Sequence, residues 1–172
     1  MRIDNPAPHM DHMVRQTRTH LVQLSSMADV KANMLLTASS VVVTLCLPHL
    51  SDSPFQGALR FLTGACLLTA VLAAWATVPR LHGSKKASQE DVHKQDFNLL
   101  FFGDFARMSF EDFEEAFEET LIDPSKTYEA QAKEIYSLGV FLARKKYRFV
   151  RWSYASFLIG VIGTGLVGLF TA

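Results

Sequence analysis

The chain has 172 residues, enough for one small domain, and equal numbers of basic and acidic side chains, so its formal net charge is zero. A neutral chain has no global field that would recruit nucleic acid. The two cysteines, Cys46 and Cys66, have no metal-ligand spacing, and no phosphate-binding loop, dinucleotide fingerprint or nucleophile motif occurs. The sequence therefore disfavours an enzyme and predicts no metal site and no cofactor.

The first predicted element is a helix from Thr19 to Leu47, because nothing in that stretch interrupts a helix. Its second half is apolar, yet polar residues recur along it at steps of three and four, which places them on one face. In one interpretation this face lines a water-filled path made by several copies of the chain. In the other, the side chains bond a neighbouring helix of the same subunit. The candidate pore-lining residues are Asp29, Asn33, Thr37, Ser40 and Thr44.

Three apolar runs stand out, and a bilayer crossing takes about 20 helical residues. The second and third runs are long enough, whereas the first is slightly short and Pro48 marks its end. The first two are joined by the short turn Ser51–Gly57 and predict a transmembrane hairpin. Lys and Arg precede the first run and crowd the segment 80–151, so the positive-inside rule places both in the cytoplasm and the C-terminus on the far side. The predicted divisions are an N-terminal cytosolic helix over 1–32, a hairpin over 33–79 with spans 33–50 and 59–78, a cytosolic helical domain over 80–151 and a third transmembrane helix over 152–172.

The cytosolic segment begins with a linker at Arg80 and continues into helices. Ser109 and Asp112 form a capping box that opens an acidic helix with a Phe-rich face. Pro124 then starts the next helix, which we expect to run from about Lys126 to the C-terminus. Before the capping box, one apolar helical face is predicted around Gly103, which marks a short or bent helix: Phe97, Leu100, Phe101, Phe105 and Met108.

Small residues at every fourth position mark a packing face on the third span, because they let membrane helices approach closely. The pattern does not say whether the partner helix belongs to the same subunit. The helix-packing candidates are Ser156, Gly160, Thr164 and Gly168.

Two groups of cations are candidate nucleotide-binding residues, since phosphates are recognised by Arg and Lys. For Arg15, Arg18 and His20 the alternative is an ordinary solvated surface. For Arg144 and Lys145 the alternative is a topological role at the cytosolic end of the third span, in contact with anionic lipid.

Three stretches carry a resemblance to a known family: HLVQLSSMADVKANMLLTASSVVV, NLLFFGDFARMSFEDF and EIYSLGVFLARKKYRFVRWSY before a last span. Together they resemble the Pycsar-type transmembrane effectors of bacterial antiphage defence, from about His20 to Gly160. The resemblance implies an inner-membrane protein that senses a small nucleotide or short oligonucleotide from a partner nucleotidyltransferase or cyclase and then impairs the membrane. In that membrane, the orientation predicted from Lys and Arg places the C-terminus in the periplasm. The resemblance leaves open which nucleotide acts and whether it opens the path or holds it shut.

The sequence thus predicts an all-α membrane protein with three transmembrane helices, whose long helices extend into a helical cytosolic domain. Three helices with one polar stripe cannot enclose a pore alone, so we expect a homo-oligomer, with a tetramer favoured. The predicted function is a nucleotide-responsive effector that forms an oligomeric channel or disrupts the membrane. The alternative is a non-conducting membrane adaptor that docks a partner enzyme through its cytosolic helices.

Overall fold

The computed structural model describes residue 3 and the ranges 6–51, 55–78 and 97–171, and all regular structure in these ranges is helical. Three helical stretches are long and apolar enough to cross a membrane, which confirms the predicted fold class. The predicted linker after Arg80 lies outside the described residues. The helices are α1 Pro8–Cys46, α2 Gln56–Thr77, α3 Phe102–Phe105, α4 Phe110–Ile122, α5 Pro124–Phe141 and α6 Tyr147–Thr171, with a 3-10 turn Leu47–His49 and a π-helical turn Leu142–Lys146.

The chain forms two compact units, and α1 supplies residues to both. The first unit, which we call the head unit, comprises Met1–Gln23 and Pro79–Val140. The second, the spanning unit, comprises Leu24–Val78 and Phe141–Ala172. The π-helical turn and the middle of α1 therefore pack with the membrane-spanning helices.

Small side chains form the core of the spanning unit. Ala28 and Ala32 of α1 are at most 1% exposed and cluster with Ala73 of α2 and Val150 of α6. Alanine at these positions lets the helix axes come close, and close packing is the main attraction between helices in lipid, where burial of apolar area gains little. The three membrane-spanning helices of one chain, α1, α2 and α6, therefore pack together through these small residues.

The small residues of α6 lie against α2 of the same chain. Ser156 Oγ donates to the carbonyl oxygen of Ala65 at 3.2 Å, and Thr164 Oγ1 lies 3.4 Å from that of Ala58. A Cβ built on Gly160 would lie 2.6 Å from the Ala65 Cβ, so glycine is required for this approach. A Cβ on Gly168 would meet no atom of another helix within 4 Å among the described residues. The first three helix-packing candidates thus have their partner helix within the subunit.

In the head unit, the predicted starts of α4 and α5 are confirmed. Ser109 accepts a hydrogen bond from the backbone N–H of Asp112 at 3.1 Å, which caps α4, and Pro124 is the first residue of α5. The aromatic face of α4 packs on Phe97 and Leu99, which are 4% and 5% exposed. This small core joins the Phe-rich segment to the acidic helix.

The predicted helical face around Gly103 is wrong in extent, since only α3, a single turn, is helical there. Buried polar groups turn the chain instead. Asp104 accepts from the backbone N–H of Asn98 at 3.0 Å and from Arg107 at 3.1 Å, and the Asn98 amide donates to Ser137 of α5 at 3.1 Å. These hydrogen bonds provide partners for the polar groups of the turn, so its backbone does not need a longer helix to be hydrogen-bonded.

The long C-terminal helix is confirmed, with one irregularity that periodicity did not reveal. The stretch Pro124–Phe170 is helical throughout, but Leu142–Lys146 form a π-helical turn. Such a turn holds one extra residue and often marks a functional position. Here it carries three consecutive cations, Arg144, Lys145 and Lys146.

Candidate functional site

The polar face of α1 is exposed in the spanning unit. Asn33, Thr37, Ser40 and Thr44 are all exposed, whereas Ala28 and Ala32 are buried against the other spanning helices. At 3.6 residues per turn, the polar face lies about a third of a turn from the packed face. Beyond it, the helix shows an exposed apolar face suited to lipid, made by Val30, Met34, Val41 and Leu45.

We call the exposed residues Asn33, Thr37, Ser40 and Thr44 the polar stripe. Their exposure argues against the interpretation in which these side chains bond a neighbouring helix of the same subunit. Ser40 Oγ donates to the carbonyl oxygen of Leu36 at 2.8 Å, and Thr44 Oγ1 donates to that of Ser40 at 2.9 Å, both within α1 itself. The hydroxyls are therefore satisfied locally, as is common for Ser and Thr in membrane helices. The exposed amide of Asn33 is the most polar group of the stripe.

Asp29 lies at the edge of the stripe and is paired. The ammonium of Lys146 lies 2.6 Å from Asp29 Oδ2 and 2.7 Å from Ser25 Oγ. The Lys146 side chain is 8% exposed and that of Asp29 is 40% exposed. In the next turn, the Tyr147 hydroxyl donates to the carbonyl oxygen of Leu24 at 3.1 Å. A buried ammonium requires such acceptors, because desolvating an unpaired charge is costly.

The head unit contains a cavity of about 280 Å³ beside α1 and α5. Arg15 and Arg18 line it together with Gln131, and Leu100 and Ile135 supply apolar wall. Asp11 and Glu134 also line it, so its charge is mixed. Two of the cationic candidates thus share one cavity, while His20 is exposed on α1 outside its lining.

Arg18 is held by a carboxylate. Its Nε lies 3.1 Å from Glu134 Oε1, and the two side chains are 57% and 14% exposed. Burial raises the pKa of Glu134, and the attraction of Arg18 offsets only part of that effect. An anionic ligand at Arg18 would compete with this carboxylate for the same guanidinium.

A second bond ties α1 to α5 near the cavity. The Tyr128 hydroxyl donates to the Asp11 carboxylate. This hydrogen bond raises the pKa of the Tyr128 phenol, because the phenol is a donor only while it is protonated. The walls of the cavity are therefore fixed by an ion pair and a hydrogen bond.

The other cationic candidates belong to the π-helical turn of the spanning unit. Arg144 is exposed, and the Lys145 ammonium lies 6.0 Å from the centre of the Phe141 ring. Lys146 follows these two residues, and helix periodicity did not predict that its side chain is buried. Only the π-helical turn distinguishes it, by directing it to Asp29 and Ser25.

The fold and these features define a polytopic α-helical membrane protein with an exposed polar helix face in its spanning unit and, in its head unit, a cavity lined by both basic and acidic side chains. The chain belongs to the Pycsar effectors, since the model of the Pycsar effector protein domain matches residues 12–172. It is thus a transmembrane effector of antiphage defence, in a family of effectors rather than enzymes, and membership implies a cyclic nucleotide signal from a partner cyclase. The searches of curated proteins and of solved structures found no match.

Proposed function

We propose that the protein is a nucleotide-responsive effector whose copies assemble in the bacterial inner membrane around a water-filled path. The exposed polar face of α1 is the observation that carries this proposal. The amide of Asn33 lies at the start of the predicted span, and three exposed hydroxyls follow it along the span. Such a polar face is unfavourable in lipid, and several copies relieve this by turning the face toward water or one another. Asp29, Asn33, Thr37, Ser40 and Thr44 then line the path.

A tetramer is the favoured assembly, because one three-helix unit is too small to enclose a path and a ring of a few copies is sufficient. The proposed orientation has the N-terminus in the cytoplasm and the C-terminus in the periplasm, as the distribution of Lys and Arg predicts. The head unit then faces the nucleotide made by the partner cyclase.

The proposed nucleotide site is in the head unit, at the cavity beside Arg15 and Arg18. Its guanidinium groups suit a phosphate, and the Gln131 amide and apolar wall suit a base and ribose. His20 in the head unit, and separately Arg144 and Lys145 in the spanning unit, remain candidate nucleotide-binding residues. Bound nucleotide shifts gating only by its differential affinity for the open and closed states, in either direction.

The pore is tested by placing leucine in the stripe. Asn33→Leu and Thr37→Leu should lower the conductance of purified protein in planar bilayers and its toxicity in cells, because a branched apolar side chain narrows and dewets the path. Val41→Leu, on the apolar exposed face of α1, is the matched control and should conduct as the wild type does. Mass in detergent should be that of an oligomer and equal in all variants.

Wild-type conductance in both stripe variants would remove this face from the conduction path. Failure of the wild-type oligomer to conduct, with and without nucleotide, would instead favour the adaptor. One surface favours that alternative: α4 presents Phe110, Leu121 and Ile122, which are 73%, 56% and 74% exposed, along a groove of about 530 Å³.

A further inference from the structure

At one end of the polar stripe, Asp29 forms an ion pair with Lys146, a residue that does not belong to the stripe. Asp29 precedes Asn33 by one helical turn and lies between the packed face and the exposed polar face. The buried ammonium of Lys146 reaches it from the π-helical turn. Each chain therefore presents at this end of the stripe a carboxylate whose charge its own lysine compensates.

The two charges differ in their access to solvent. Asp29 is 40% exposed, whereas Lys146 is 8% exposed and donates to both Asp29 and Ser25. Asp29 Oδ1 is buried and accepts no hydrogen bond among the described residues. The lysine is thus fixed in the protein, and the partly exposed carboxylate is the charge that an ion would meet.

We propose that Lys146 sets the ion selectivity of the pore by neutralising Asp29 at its cytoplasmic mouth. The inference rests on the proposed pore. A ring of carboxylates, one from each copy, selects cations, whereas a ring of carboxylate–ammonium pairs has no net charge and discriminates weakly. The wild-type pore therefore passes small anions and cations with similar ease, despite the acidic ring at its mouth.

The two members of the pair predict opposite effects. Lys146→Gln leaves the carboxylates uncompensated and should shift the reversal potential in a KCl gradient toward K⁺, with a several-fold rise in the ratio of K⁺ to Cl⁻ permeability. Asp29→Asn leaves the ammonium uncompensated and should shift it toward Cl⁻. The double variant has no charge at either position and should return to the wild-type value.

Arg148→Gln is the matched control, because it removes an exposed charge from the next turn of α6. It should leave the reversal potential unchanged. Opposite shifts in the single variants are the outcome that a merely structural salt bridge would not produce. Since either single variant decides the question, loss of assembly in one leaves the other as the test.

Three outcomes overturn the proposal. The first is a conducting single variant with the wild-type reversal potential. The second is a shift of the same sign in both single variants. The third is a wild-type oligomer that does not conduct, and this outcome also removes the proposed pore, so the two failures are distinguishable.

Discussion

Two buried charges at the residue scale show how this chain accommodates ions in apolar surroundings. Lys146 is 8% exposed and has two acceptors within 2.7 Å, whereas Glu134 is 14% exposed and has a solvated cation at 3.1 Å. In each pair the more exposed partner retains part of its hydration. Removing the exposed partner should therefore cost more than neutralising the buried one, because it leaves an uncompensated charge in the interior.

The Glu134 pair makes this asymmetry measurable. Because burial raises its pKa above the ordinary 4.5, the folded protein binds this proton more tightly than the unfolded chain does. The corresponding stabilisation is full below pH 4.5 and is lost as the pH rises through the raised pKa. Glu134→Gln mimics the protonated group and should match or exceed the thermal stability of the wild type in detergent at neutral pH, with the gain vanishing below pH 4.5.

Arg18→Ala should lower stability at neutral pH, by no more than about 1 kcal/mol because the arginine is exposed and solvent screens the pair. Glu115→Gln, on the exposed face of α4, controls for loss of a carboxylate elsewhere. A Glu134→Gln variant clearly less stable than the wild type at neutral pH would mean that the ion pair outweighs the burial.

At the element scale, the close packing of α6 on α2 depends on Gly160, which has no side chain. At Gly160 a Cβ would lie 2.6 Å from the Ala65 Cβ, which has no rotamer to escape into. Ser156 and Thr164 flank the glycine and lie near backbone carbonyls of α2. The helix pair therefore depends on a short stretch of backbone proximity, where dispersion and hydrogen bonds replace hydrophobic burial.

Gly160→Leu should force the two helices apart and lower the thermal stability of the detergent-solubilised protein by about 1–3 kcal/mol, the usual cost of overpacking. The matched control is Gly165→Leu on the same helix, where a Cβ meets no atom within 4 Å. Equal stability of the two variants would show that the approach at Gly160 is not needed for packing.

Helix periodicity in the sequence was sufficient for the long elements and for the caps at Ser109 and Pro124. It could not reveal the π-helical turn, because one extra residue among cations changes no apolar pattern. Periodicity therefore did not predict that the side chain of Lys146 is buried. Helix periodicity also could not predict how short α3 is, because the hydrogen bonds of the buried Asp104 determine that turn.

At the scale of the whole molecule, α1 contributes both to the cavity of the head unit and to the polar stripe of the spanning unit. The sequence placed Arg15 and Arg18 on the first helix, together with the polar stripe, but it did not predict the cavity that the two arginines line. It could not show that Arg18 is already paired, since Glu134 lies more than a hundred residues away along the chain. Contacts between residues so distant in sequence are formed only in the fold.

The nucleotide response belongs to this scale. Arg18→Ala should weaken binding of 3′,5′-cyclic ribonucleoside monophosphates, tested by calorimetry as a panel of four bases, by about tenfold or more, as expected for loss of a charge-assisted hydrogen bond. Arg144→Ala tests the separate candidate cations of the spanning unit for the same loss of binding. Arg148→Ala is the control for loss of a cation, and insertion into the membrane should be unchanged in all three.

Wild-type affinity in the Arg144 variant alone would confine the site to the head unit and leave Arg144 as a topology determinant. Wild-type affinity in both Arg18 and Arg144 variants would exclude these cations as ligands. The buried group of Asn98, Asp104 and Arg107 would then be the next to test.

The hydroxyls of Ser40 and Thr44 donate to carbonyls of their own helix. These hydrogen bonds affect how readily copies of the effector associate in the membrane before infection. A newly inserted chain can remain monomeric in the bilayer. The hydroxyls of Ser40 and Thr44 already have acceptors, so exposing them to lipid costs less free energy than exposing unpaired groups. In the proposed assembly, the amide of Asn33 would then contribute most of the tendency to self-associate, and the contribution per copy would be modest. We expect the amount of protein in the membrane to act as a threshold, so that a sparse population is harmless and a dense one is poised to kill the host cell.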